Sequence, residues 1–152
     1  MKLNNIFNRI KQINPNIKFV GEFNKKNKRT GYWEEYFDNG KIYSKGNYLN
    51  GIKDGYWEFY WSNGNIRYKG NYLNDERDGY WEDYYYDVNI RSKGNYINGE
   101  RNGYWIFYYE NCDISSKGKY KNGERNGYWI FYYENCVISS KGNYINSIFH
   151  EL

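Results

Sequence analysis

Five tryptophans, Trp33, Trp57, Trp81, Trp105 and Trp129, stand 24 residues apart, and each closes a Gly-Tyr-Trp triplet. A fixed period of 20–50 residues commits a chain to a repeat architecture before local propensity is weighed. A second marker keeps the same interval: Lys45-Gly46, Lys69-Gly70, Lys93-Gly94, Lys117-Gly118 and Lys141-Gly142. The fifteen letters NGERNGYWIFYYENC occur twice, at residues 98–112 and 122–136. The period cuts the chain into units at 31–54, 55–78, 79–102, 103–126 and 127–150, after a half unit at 17–30. Residues 1–16 remain as an N-terminal cap and 151–152 as a C-terminal end.

Each unit alternates with period 2, is rich in aromatic and β-branched residues, and is punctuated by Gly, Asn and Asp, which is the pattern of a β-hairpin. In the first unit Asn39-Gly40 suits a two-residue type I′ turn. That turn sets Phe37 opposite Ile42, Tyr36 opposite Tyr43, Glu35 opposite Ser44, Glu34 opposite Lys45 and Trp33 opposite Gly46. The indole of each Trp then covers the glycine of its own unit, Gly46, Gly70, Gly94, Gly118 or Gly142, as an aromatic ring rescues a bare position in a strand. Glu34–Lys45, Glu58–Lys69 and Glu82–Lys93 become cross-strand charge pairs, each contributing roughly 0.2–1 kcal/mol. The link between units sets Tyr48 opposite Trp57.

The expected fold is all-β: an elongated, single-layer antiparallel meander of stacked 24-residue hairpins, about eleven strands. One face carries Trp33, Phe37, Ile42, Gly46 and Tyr48 and their equivalents and is the packed side. The other carries Tyr32, Glu34, Tyr36, Lys45 and Asn47. In the later units Val88, Cys112 and Cys136 replace the turn glycine. A β-branched residue resists positive φ, so those three turns are expected to be rebuilt. Leu3, Ile6, Phe7, Ile10 and Ile13 are helically spaced, which suggests a short amphipathic helix over residues 3–13, as a cap or a docking element. Ser147-Ile148-Phe149-His150 covers the last strand.

Aromatics make up 23% of the chain, 21 residues being Tyr, while the mean hydropathy is −1.10. Rings, not aliphatic side chains, must therefore supply the burial. The chemistry of catalysis is missing from the pattern. The one histidine is His150, and Cys112 and Cys136 lack the spacing of a zinc site. Glu34 and Glu35 fall on opposite faces of a strand and cannot form a carboxylate pair. No phosphate loop or serine elbow occurs. No enzyme, metal or cofactor is expected. Equivalent positions in adjacent hairpins lie about 9–10 Å apart, too far for a disulfide. With no apolar run of membrane-spanning length, no secretory leader pattern and no glycosylation sequon, an intracellular, cytoplasmic protein is expected.

GYWEEYFDNGKIYSKGNYLNG resembles the MORN repeat, particularly the variant of YwqK-like proteins. The matching letters are Gly31, Trp33, Tyr36, Asn39, Gly40, Ile42, Gly46, Tyr48, Asn50 and Gly51. The resemblance implies a scaffold that binds proteins or itself, in some relatives phospholipid, with an antitoxin-like role in others. The candidate interaction residues are Tyr36, Tyr60, Tyr84, Tyr108 and Tyr132, with Lys45, Lys69, Lys93, Lys117 and Lys141 as a row beside them. Their partner is expected to be a protein, unidentified, or a second copy of the chain. Anionic lipid and aromatic-cage binding of choline or glycans are the alternatives. A net charge of +4 with no net basic stripe does not favour nucleic acid.

Overall fold

The computed structural model describes residues 12–13 and 18–152. They form a single open sheet of thirteen antiparallel strands in sequence order. The strands are β1 (Gln12–Ile13), β2 (Lys18–Phe23), β3 (Arg29–Tyr36), β4 (Ile42–Leu49), β5 (Ile52–Tyr60), β6 (Ile66–Leu73) and β7 (Glu76–Tyr84). They continue as β8 (Ile90–Ile97), β9 (Glu100–Tyr108), β10 (Ile114–Lys121), β11 (Glu124–Tyr132), β12 (Ile138–Ile145) and β13 (Ile148–Glu151). No helix occurs among the described residues. The helix expected over 3–13 lies outside them except at its end, where Gln12–Ile13 is strand instead.

The body of the hairpin has the expected register: Trp33 faces Gly46, Glu34 faces Lys45 and Glu35 faces Ser44. Its tip differs. Tyr36 faces Ile42, with a bulge that leaves Tyr43 unpaired. Phe37 N–H donates to Lys41 O (2.8 Å), Gly40 N–H donates to Phe37 O (2.9 Å), and only Gly40 of the loop has positive φ, +79°. This is a three-residue loop, a type I turn closed by a left-handed residue. It replaces the expected type I′ turn, which the structure uses in the links instead. There Asn50 and Gly51 both have positive φ (53° and 93°) between the paired Leu49 and Ile52.

The links also carry a two-residue bulge. After Gly46↔Trp57 the pairing resumes at Asn47↔Asp54, so Tyr48 faces Lys53 rather than Trp57. Gly55 and Tyr56 are the extra residues. The bulge frees the carbonyl of Asn47, and Trp57 Nε1 donates to it at 3.0 Å. Trp81, Trp105 and Trp129 bond Asn71, Asn95 and Lys119 in the same way.

Each indole covers a glycine, but of the strand before it. A Cβ on Gly46 would stand 2.3 Å from Trp57 Cδ2, and one on Gly21 2.2 Å from Trp33 Cδ2. Gly70, Gly94 and Gly118 lie under Trp81, Trp105 and Trp129. Gly142 meets the backbone of His150 instead. The expected pairing of ring and glycine within one unit is therefore corrected: the indole bridges units. All five rings are fully buried, although the described residues form no second layer over the sheet. Strand β13 pairs with β12 and packs Phe149 on Phe131 and Tyr144, as expected of the segment that follows the last link.

The three substituted tips are not rebuilt. Val88, Cys112 and Cys136 take φ of 76°, 72° and 62° in the same loop as Gly40 and Gly64. The closing hydrogen bond is 2.8–2.9 Å in the glycine loops and lengthens to 3.3 Å at Val88, 3.1 Å at Cys112 and 3.0 Å at Cys136. The strand register on either side wins, and the backbone strain is tolerated. A left-handed conformation costs a residue with a Cβ about 1–2 kcal/mol. Val88→Gly is therefore expected to stabilise by about 1 kcal/mol after its own unfolded-state entropy is counted. That should raise the thermal midpoint by roughly 2–4 °C, with a smaller gain for Cys112→Gly. Gly70→Ala should do the opposite, losing about 1–3 kcal/mol, because Arg77 and the flanking tyrosines hold the Trp81 ring down on it.

Candidate functional site

The two faces of the sheet do different things. On the packed face each indole is boxed. Tyr48 and Tyr72 meet Trp57 edge-on at 4.9 and 6.3 Å, and Phe59 stacks on it at 5.7 Å. Above each ring lies a cation from its own strand, four residues earlier. Arg29, Arg77, Arg101 and Arg125 place Cζ 4.7, 4.3, 4.8 and 4.7 Å from the centroids of Trp33, Trp81, Trp105 and Trp129. Lys53 Nζ stands 5.6 Å from Trp57. Each such contact contributes about 0.5–2 kcal/mol. The guanidinium then donates to a tyrosine hydroxyl: Arg29 to Tyr48 at 2.9 Å and Arg125 to Tyr144 at 2.8 Å.

The cations at 29, 53, 77, 101 and 125 are structural residues that were not among the sequence candidates. Their signal was present: a basic residue stands four places before every Trp of the repeat. The position over each indole that a choline ammonium would take in an aromatic cage is thus filled by the chain itself. Glu35 also belongs to this face, bonded to Arg29 and to Ser44, both at 2.7 Å. Glu34 lies on the other face, as the alternation requires.

The second face holds the candidate residues, and it assembles them across units. Lys45 stands between Glu34 and Glu58 in the register, yet its ion pair is with Glu58, at 2.7 Å. Lys69 pairs with Glu82 at 3.0 Å. Glu34–Lys45, Glu58–Lys69 and Glu82–Lys93 are cross-strand neighbours as expected. Lys45 and Lys69 nevertheless close their ion pairs on the next unit, and Lys93 faces Ile106 there. Tyr60 and Tyr84 donate to the same carboxylates at 2.5 and 2.7 Å, and Tyr36 donates to Glu34. Lys45, Lys69, Lys93 and Lys117 lie 5.4–5.5 Å from the ring centroids of Tyr60, Tyr84, Tyr108 and Tyr132. Lys141 has no such ring after it in the repeat.

The charge changes along this face. Ile106 and Ile130 stand where earlier units have Glu, so Lys117 faces isoleucine on both sides. Beside the row, Tyr32, Tyr56, Tyr80, Tyr104 and Tyr128 are each 46–49% exposed. They form a line of half-open rings that the candidate residues did not include. Their signal was the Tyr of every Gly-Tyr-Trp triplet, which alternation sets opposite the Trp face.

Among the described residues no cluster of three or more His, Cys, Asp or Glu could hold a metal ion. Cys112 and Cys136 are free and exposed. Among the described residues no helix is long and apolar enough to cross a membrane.

Residues 29–50 and 53–74 match a family model described as a MORN repeat variant. No curated protein matches the chain. Among solved structures, a chain of "Crystal structure of GtfA/B complex bound to UDP and GlcNAc" is similar at 12% identity and a TM-score of 0.29. The match covers 90% of this chain and 26% of that one.

Burial raises the pKa of the Glu58 carboxyl, but hydrogen bonds from Lys45 and Tyr60 and the charge of Lys45 outweigh it and hold the group below 4.5. Glu82 is lowered in the same way, with Tyr84 and Lys69. A carboxyl depressed on folding contributes stability above its unfolded pKa and loses it as the pH falls through the folded value. Stability should therefore drop as the pH goes below 4.5. A Glu58→Gln/Glu82→Gln variant should show a smaller drop, measured as chemical unfolding at several pH values.

Proposed function

We propose that the chain is a non-enzymatic scaffold that binds protein through the tyrosine–lysine face. The line of five half-exposed rings carries this reading. Tyrosine offers a large rigid contact surface with a polar tip, and it is enriched at the centres of protein interfaces. The packed face closes over its own indoles, so it does not need a partner to cover them. The tyrosine row remains open to solvent along the array.

The C-terminal half is the stronger contact region. There Ile106 and Ile130 replace the carboxylates, leaving Tyr104, Tyr128 and the lysines Lys117 and Lys141 as an apolar, basic strip. Interfaces gain from charge depletion at their centre, and an acidic or neutral partner surface fits this strip. A second copy of the chain is one partner the row can accept, tyrosine line against tyrosine line.

A Tyr104→Ser/Tyr128→Ser variant tests the reading. Neither ring is buried, so the cost in stability should be at most about 1 kcal/mol each. Cross-linking and affinity capture from the native cell should lose the partners seen with the unaltered chain. Sedimentation should show the variant as a monomer wherever the unaltered chain is a dimer. A variant that keeps every partner and its mass would place the contact elsewhere.

A further inference from the structure

A depression of about 280 Å³ opens on the packed face where the second, third and fourth units meet. Its walls hold Arg67, Arg77, Arg91 and Arg101 against one carboxylate, Asp83. Four guanidinium groups and one carboxylate leave a local excess of three positive charges.

The depression is where the repeat breaks its own pattern. Arg67 and Arg91 occupy the place of Tyr43, Ser115 and Ser139 in the other units. Asp83 occupies the place of Phe59, Phe107 and Phe131, where the first unit also has an acid, Glu35; Tyr68 occupies that of a serine, and Trp61 that of Phe37 or a tyrosine. These departures are scattered in sequence but converge on one wall. A requirement of the sheet alone would recur every 24 residues, as the cations over the indoles do. The acid recurs once, as Glu35 with Arg29 and Ser44, whereas the two adjacent exposed arginines Arg67 and Arg91 with Trp61 and Tyr68 occur in no other unit.

The polar groups here are incompletely matched. Asp83 accepts from Ser92 Oγ at 2.9 Å, and its other oxygen is 3.7 Å from Arg77 Nη1. Arg77 donates to Tyr96 at 3.2 Å and Arg101 to Tyr120 at 3.4 Å. Arg67 stacks on Trp61 at 4.4 Å and on Tyr68 at 5.4 Å. Arg67 and Arg91 are exposed, and neither forms an ion pair among the described residues. Trp61 Nε1 is a buried donor without an acceptor among the described residues. Stacked guanidinium groups with free N–H edges form a fork for a planar oxyanion.

We infer that this depression is a binding site for the carboxylate side chains of an acidic peptide segment. The local charge excess draws any anion; the carboxylate is chosen because its planar two-oxygen edge matches a guanidinium fork. The aromatic walls suit the methylene stem of Glu or Asp. The site is on the face opposite the tyrosine row, so it goes beyond the scaffold reading and stands or falls separately.

The test uses the full chain and fluorescence anisotropy of a labelled hexaglutamate peptide, with hexaglutamine as its neutral counterpart. The glutamate peptide should bind and the glutamine peptide should not. Arg67→Gln/Arg91→Gln should weaken binding at least about tenfold while circular dichroism holds and the thermal midpoint falls by no more than a few degrees, the loss of the Arg67 stack on Trp61. Asp83→Asn should tighten it by removing the repelling charge. Lys117→Gln/Lys141→Gln and Tyr104→Ser/Tyr128→Ser should leave it unchanged. Equal binding by the arginine variant, or equal loss in the lysine variant, would overturn the site. Binding of inorganic phosphate or phosphatidylserine vesicles without binding of the peptide would overturn the ligand.

Discussion

An indole pressed onto the bare glycine of the neighbouring strand holds this sheet together. A single-layer sheet has no opposing layer against which to bury apolar surface, which is the usual solution for a β domain. Here the second layer is one residue thick. Glycine lets the ring down to the backbone, a freed carbonyl takes its N–H, tyrosines close its edges, and a basic side chain roofs it. Because ring and glycine come from different units, every such contact joins neighbours, and stability is built along the array in the manner of a quasi-one-dimensional repeat.

This arrangement spends the strand's alternation asymmetrically. All the burial goes to one face, which leaves the other free to vary. On that face the earlier units carry a lattice of Glu, Lys and Tyr in which each lysine is bonded into the following unit. The later units drop the carboxylates for isoleucine and keep the lysines and tyrosines. The same backbone thus presents a neutralised surface at one end and an apolar, basic one at the other, with no change in the packed face beneath. The packed face itself departs from the plan at Glu35 and, most widely, at the arginine-lined depression.

Much of this was legible in the letters. The period fixed the number of strands to within the terminal ones, the alternation separated the Trp and Tyr faces, and Trp33 opposite Gly46 followed from hairpin geometry. The errors of register share one physical cause, the β-bulge. A bulge at the tip turned a two-residue loop into a three-residue one. A double bulge at Gly55 and Tyr56 shifted the link and moved the ring from its own unit's glycine to the preceding one. Bulges leave a weak mark in a sequence, because the extra residue looks like any strand residue. The turns at Val88, Cys112 and Cys136 failed for a different reason: propensity argued locally, while register was decided by the strands on both sides. The roofing cations were visible as a spacing but had no assigned role until the rings were seen beneath them.

Strands β9 and β11 are the same nine letters, ERNGYWIFY, and β10 lies between them, bonded to both. Either neighbour satisfies the same partner equally well. Looping out one whole 24-residue segment and closing the gap would preserve the geometry of every remaining contact, so the folding chain meets a near-degenerate alternative that differs only in length. The irregular residues of the second and third units mark absolute position along an otherwise self-similar ladder.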